Sequence, residues 1–232
     1  MAQHKPNNLD YILFENVSYR NEGLDPILVH VDLEFPMDQT IIIQSSNPSH
    51  SVHLLEILAG RKEPQSGKIK WTDQGSYSGE EIQVSLHELV ASYFESNRPD
   101  PNIKIEELLI STGAVKKMIF EAIEHFEILN LLNKSFRNLT YEDQKLILLL
   151  MPTLKTPQML VLEDPAVGLS QQAFLDYLDW IQIWQRQGHL RHIYMTNNHP
   201  AAARHLDAKI IYIEDGLIYL EENQDFKKIV HF

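Results

Sequence analysis

Apolar residues change rhythm several times along the chain. "YILFENVSY" (Tyr11–Tyr19) and "ILVHVDLEF" (Ile27–Phe35) read as strands, the second alternating apolar and polar, with the turn "NEGLD" before Pro26. Together they predict an N-terminal antiparallel element. Three β-branched residues, Ile41–Ile43, then predict a buried strand, and Leu54, Leu55 and Leu58 lie on one face of a helix after a polar loop of about eight residues. "SGKIKW" reads as a further strand. After the breaker "RPDP", apolar residues at three- and four-residue steps predict a largely helical Ile105–Leu132. "MLVLED" and "HIYMTNN" are short apolar runs with polar ends, separated by a helical stretch from Gln171 to Gln187. They read as parallel strands of a covered sheet with functional loops at their carboxyl ends. "AKIIYIEDGLIYLEE" is a hairpin turning at Asp215-Gly216. The sum is an α/β fold.

Composition narrows the class. A chain of 232 residues that is 44% hydrophobic can bury one substantial core. Twenty basic against 32 acidic residues leave a net charge of -12, and no basic patch offsets it, which disfavours nucleic acid. The absence of cysteine excludes disulfides and thiolate metal sites. No apolar run reaches the ~20 residues that span a bilayer, and "MAQHKPNNLD" lacks the apolar core of a signal peptide, so a cytoplasmic protein is expected.

The strand, polar loop and helix of "IIIQSSNPSHSVHLLEILAG" form the frame in which phosphate loops are built, G-x-x-x-x-G-K-[ST]. Its glycines and its lysine are missing here. Other candidate chemistry is sparse. Of His50, His53, His87 and His199, only the first two are close, at an i,i+3 spacing that is a weak metal signal.

In order and spacing the elements resemble the nucleotide-binding domain of an ABC transporter over nearly the whole chain. Three stretches carry the resemblance: "LLEILAGRKEPQSGKIKW", "FRNLTYEDQKLILLLMPTLKTPQMLVLEDPAVGLS" and "IYMTNNHPAAARHLDAKIIYIEDGLI". It implies a P-loop NTPase-like mixed sheet flanked by helices, with an N-terminal antiparallel β element. Residues 1–232 form one domain, with a helical subdomain at about 88–152 inserted in the core.

Position by position, the resemblance puts the loop's two glycines at Ser45 and His50, its lysine at Ser51, its Mg²⁺-binding hydroxyl at Val52 and the following hydroxyl at His53. It puts the adenine-stacking aromatic at Tyr19, the metal carboxylate at Glu163, the catalytic base at Asp164 and the switch histidine at Asn197. The signature motif becomes "LTYEDQ", where Thr140 keeps a hydroxyl and Glu142 replaces a glycine that faces phosphate. The Q-loop glutamine falls near His87.

With these substitutions no cofactor is expected, and ATP and Mg²⁺ should bind weakly at best. A serine brings no charge, a valine ligates no metal, and several charge-assisted hydrogen bonds of roughly 1.5–3 kcal/mol each are lost together. The expected function is a catalytically inactive or severely impaired ATP-binding-type subunit, structural or regulatory, peripheral on the inner face of a membrane. Its partners are an integral membrane permease, through the surface around Val84 to Ile110, and a second ABC-type subunit, either itself or an active paralogue. The alternatives are a divergent ATPase with slow hydrolysis and a soluble interaction module without a permease.

Overall fold

The computed structural model describes residues 11–21, 26–35, 39–72, 89–196, 200–222 and 225–228. Three antiparallel strands come first in the fold: β1 (Tyr11–Arg20), β2 (Pro26–Phe35) and β4 (Ser66–Thr72), in the order β2-β1-β4. The remaining strands are β3 (Thr40–Ser45), β5 (Val90–Tyr93), β6 (Met159–Leu162), β7 (His192–Thr196), β8 (Lys209–Glu214), β9 (Leu217–Glu222) and β10 (Asp225–Lys228). They form a seven-stranded mixed sheet in the order β10-β9-β8-β3-β7-β6-β5. The pairs from β8 through β5 are parallel, while β9 and β10 fold back antiparallel. The β8–β9 hairpin turns through Asp215 and Gly216, at φ 50 and 78, as a tight hairpin with positive φ at both central residues requires.

Helices cover the main sheet: α1 (Pro48–Leu58), α2 (Ile105–Ile110), α3 (Lys116–His125), α4 (Tyr141–Leu154), α5 (Gln171–Arg186) and α6 (Pro200–His205). The alternation of a strand's side chains splits the core in two. Ile41 and Ile43 face α1 and the three-stranded sheet, in a cluster with Leu54, Leu55 and Leu58. Ile42 faces the other way, into a cluster built from α2 to α5 with Leu149, Phe174 and Trp180. Each such buried leucine contributes about 2 kcal/mol of apolar burial.

The structure redraws two sequence expectations. Ile105–Leu132 is two helices and a short 3-10 turn, because the chain bends between α2 and α3 at Gly113, whose φ of 77 suits glycine. The loop of about eight residues after β3 shrinks to Ser46 and Asn47, since α1 already begins at Pro48. Strand β5 at Val90–Tyr93 pairs with β6 at the edge of the main sheet, and α2 follows at Ile105. His87 and all of the Val84–Ile110 segment before Leu89 lie outside the described residues, as do Asn197 and His199. No described helix is long and apolar enough to cross a membrane.

Candidate functional site

Parallel strands present their carboxyl ends together, and β3, β7, β6 and β5 lie side by side in the sheet. The turn after β3 is closed by its own side chains. Ser45 Oγ donates to the Ile213 carbonyl at 2.7 Å and accepts from the Asn47 N–H at 3.2 Å. Asn47 is the N-cap of α1: its Oδ1 accepts from the Ser49 N–H at 3.1 Å and from Ser49 Oγ at 2.9 Å. Pro48 has no N–H, and the His50 N–H donates to the Asn47 carbonyl at 3.0 Å. An Asn-Pro pair is a strong helix start, which is why the helix claims residues expected in the loop. Ser51 is buried, and Val52 and His53 follow on α1.

Tyr19, the expected adenine platform, is 8% exposed. The His53 ring lies 5.8 Å from it at a tilt of 58°, and Lys62 Nζ lies 5.8 Å from its centroid. His53 Nδ1 and Lys62 Nζ in turn approach Glu56 Oε2 at 2.8 and 2.7 Å. Burial alone raises the Glu56 carboxyl, but the hydrogen bonds and charges of Lys62 and His53 outweigh it and hold it below the ordinary glutamate range.

At the end of β6, the Glu163 N–H donates to the Tyr93 carbonyl at 3.0 Å, and Glu163 Oε2 accepts from the Glu95 N–H at 2.8 Å. Desolvation pushes the Glu163 and Asp164 carboxyls up. Asp164 has φ 40, a left-handed conformation that aspartate tolerates because its short side chain hydrogen-bonds locally. The order Glu-Asp thus places the shorter acid on the strained residue. Its N–H donates to Thr196 Oγ1 at 2.9 Å.

Two residues outside the sequence candidates complete this end. Glu95 follows β5, and Lys145 lies one turn into α4. Lys145 is 2% exposed, and its ammonium donates to Glu95 Oε1, to Tyr93 Oη at 3.1 Å and to the Asp164 carbonyl at 2.9 Å. All three of its donors are satisfied. Tyr93 Oη also donates to Glu95 Oε1 at 2.6 Å, and Arg98 donates to Glu95 Oε2 at 3.0 Å. The only visible signal was a lysine at the head of the apolar run "LILLL", directly after the polar "EDQ".

The segment around Thr140 and Glu142, where the signature motif was expected, is engaged in the same way. Thr140 caps α4, accepting from the Asp143 N–H at 3.1 Å and donating to Asp143 Oδ2 at 2.8 Å. Glu142 Oε1 accepts from the Ser170 N–H at 2.8 Å, and these bonds to Ser170 hold its carboxyl below its ordinary value. Gly168 sits at φ 89 with the Tyr141 ring 2.4 Å from where a Cβ would project, so any other residue would strain the backbone and displace that ring. Among the described residues no group of three or more His, Asp or Glu side chains is arranged to hold a metal ion.

A family model described as ABC transporter matches residues 28–167. No curated protein matches the chain. Among solved structures, a nucleotide-free ATP-binding cassette from an ABC transporter superposes with a TM-score of 0.70 at 16% identity, over 93% of each chain. An ATP-binding subunit of an ABC transporter gives 0.71 at 15% identity, over 88% of this chain and 86% of that one. The cbiO1 protein from Clostridium perfringens, part of the ABC transporter complex cbiONQ, gives 0.70 at 17% identity over 93% and 89%. At these identities the likeness is one of fold.

Proposed function

Because the chain belongs to the ABC transporter family, we propose that it is an ATP-binding-type subunit that does not turn over ATP and acts as a structural or regulatory partner in a membrane transport complex. The turn after β3 carries this reading. A phosphate loop works by pointing free backbone N–H groups at an anion. Here the Asn47, Ser49 and His50 N–H groups are engaged by Ser45 and Asn47, and position 48 is proline. Ser51 offers no charge and Val52 no metal ligand. ATP and Mg²⁺ do not fit this arrangement.

The remaining ligand-facing positions support the same reading. Tyr19 is covered by His53, Glu163 is bonded to the Glu95 backbone, and Glu142 adds negative charge where phosphate would approach. The partners are an integral membrane permease at the cytoplasmic face of the membrane and a second ABC-type subunit, a copy of itself or an active paralogue. That cbiO1 is part of a transporter complex supports a permease partner. So do Ile110, Val115, Phe120 and Leu129 on and around α2 and α3, which are 57 to 70% exposed.

Calorimetric titration of the purified chain with Mg²⁺-ATP tests the reading. The expected dissociation constant is millimolar or weaker, and a micromolar one moves the chain to the slow-ATPase reading.

A further inference from the structure

We propose that Lys145 is a resident tether that fixes the helical unit α2–α4 in one orientation on the main sheet, so that this orientation does not answer to nucleotide. The inference rests on the reading of the site as one that holds no nucleotide of its own. Lys145 belongs to α4, while its three acceptors belong to the sheet: Tyr93 Oη ends β5, Glu95 follows it, and the Asp164 carbonyl follows β6. A buried ammonium in a low-dielectric interior tolerates few arrangements, because leaving any donor unpaired is costly. Glu95 is held from several sides, by Lys145 and Tyr93 on one oxygen, Arg98 on the other and Glu163 at its backbone N–H.

Such a cluster links two structural units through charge that cannot diffuse away. A site that borrowed its positive charge from a metal or another soluble ion would gain and lose the link with the ligand. A lysine keeps it at all times. The helices are also joined to α5 by a row of rings, His125, Phe126 and Trp180, with neighbouring centroids 4.6 to 5.6 Å apart, so the unit is anchored at two separate places. The consequence for a partner is that the exposed apolar residues on α2 and α3 are presented at a constant angle.

The chain has no cysteine, so Lys116→Cys and Lys209→Cys, both at exposed positions of α3 and β8, accept spin labels cleanly. Pulsed electron paramagnetic resonance should give one narrow distance in the otherwise native chain, unchanged by excess Mg²⁺-ATP. Lys145→Met and Glu95→Gln should each broaden and shift it. Leu150→Ala, a core truncation on α4, should lower the melting temperature without moving the distance. Should Lys145→Met fail to fold, Glu95→Gln, whose side chain is 31% exposed, carries the comparison. A broad distance in the native chain, a shift with Mg²⁺-ATP, or a native distance in both charge variants overturns the tether. Calorimetry on the same labelled chain separates the two readings. Tight ATP binding with an unmoved distance overturns the inactive-subunit reading and upholds the tether, whereas weak binding with a broad distance overturns the tether alone.

Discussion

The turn after β3 and the turn after β6 open on the same edge of the main sheet, two strands apart, and they are closed by opposite means. On the proposed reading the chemistry after β3 is absent, with serine, histidine and valine at the positions a phosphate loop gives to glycine, lysine and a hydroxyl; the backbone is helical from Pro48 onward. After β6 the chemistry is present but engaged. The Glu95 carboxylate is occupied by a lysine from α4 and the Glu163 carboxylate by a backbone N–H, while the same lysine also holds the Asp164 backbone carbonyl. Loss by subtraction leaves a neutral turn that tolerates change. Loss by occupation leaves buried charge, and buried charge is costly to disturb.

The largest expected effect therefore lies after β6. Lys145→Met removes the charge-assisted hydrogen bonds of the buried ammonium and leaves Glu95, whose side chain is 31% exposed, to Tyr93 and Arg98, a loss of about 3 kcal/mol. Urea unfolding measures it, and a loss under ~1 kcal/mol would erase the contrast between the two turns.

Next comes reconstruction of the turn after β3. Ser51→Lys alone should leave ATP affinity unchanged. Adding glycine at Ser45 and His50 and serine at Val52 should still gain less than about tenfold, because Asn47 and Pro48 continue to start the helix. Further replacement of both by glycine should release the turn and gain ~100-fold or more over the native chain, equivalent to about 2.7 kcal/mol. Tight binding by Ser51→Lys alone would mean that the turn already holds a phosphate-ready shape.

A smaller effect isolates the cap. Asn47→Ala should cost ~1 kcal/mol of stability without restoring ATP binding, since it frees the Ser49 N–H but supplies no charge. Thermal unfolding together with titration checks both halves.

The smallest concerns Glu56, beside the turn after β3. Its folded carboxyl is held below the ordinary value of 4.5 and the Lys62 ammonium above 10.5. The Glu56 contribution is thus present above pH 4.5 and lost as pH falls through the lower folded value, whereas that of Lys62 is present below pH 10.5 and lost only in stronger alkali. Glu56→Gln should cost under ~1 kcal/mol at neutral pH, and the difference from the native chain should vanish in acid. A difference that survives in acid would assign the effect to packing.

Much of the fold was readable because it rests on period. The triple isoleucine of β3, the covered strands β6 and β7, and the Asp215-Gly216 hairpin follow from alternation and turn chemistry alone. The start of α1 was not read, although its signal was present. An Asn-Pro pair specifies an N-cap, and the phosphate-loop template placed over it hid that. The Glu95–Lys145 pair could not be read from neighbours in sequence, because two elements 50 residues apart meet only once α4 packs on β5. A charged residue in an apolar helix marks that some partner exists without naming it.

The position of β3 bears on how the chain is made. It is an early strand among the described residues, and it is hydrogen-bonded on both sides by strands that follow it by about 150 residues or more: Ile41 lies opposite Tyr194 on one flank and Lys209 on the other. At a translation rate of about 5–20 residues per second, its three isoleucines wait roughly eight to thirty-five seconds for these neighbours. The small sheet β2-β1-β4 can close by Thr72, long before, and α1 follows β3 directly, so both are available to shield one face of the waiting strand. The face carrying Ile42 has no such cover until α4 and α5 emerge. The nascent chain therefore offers a sticky apolar edge on the ribosome, and its yield in cells should depend on holdase chaperones more than the stability of the finished fold suggests.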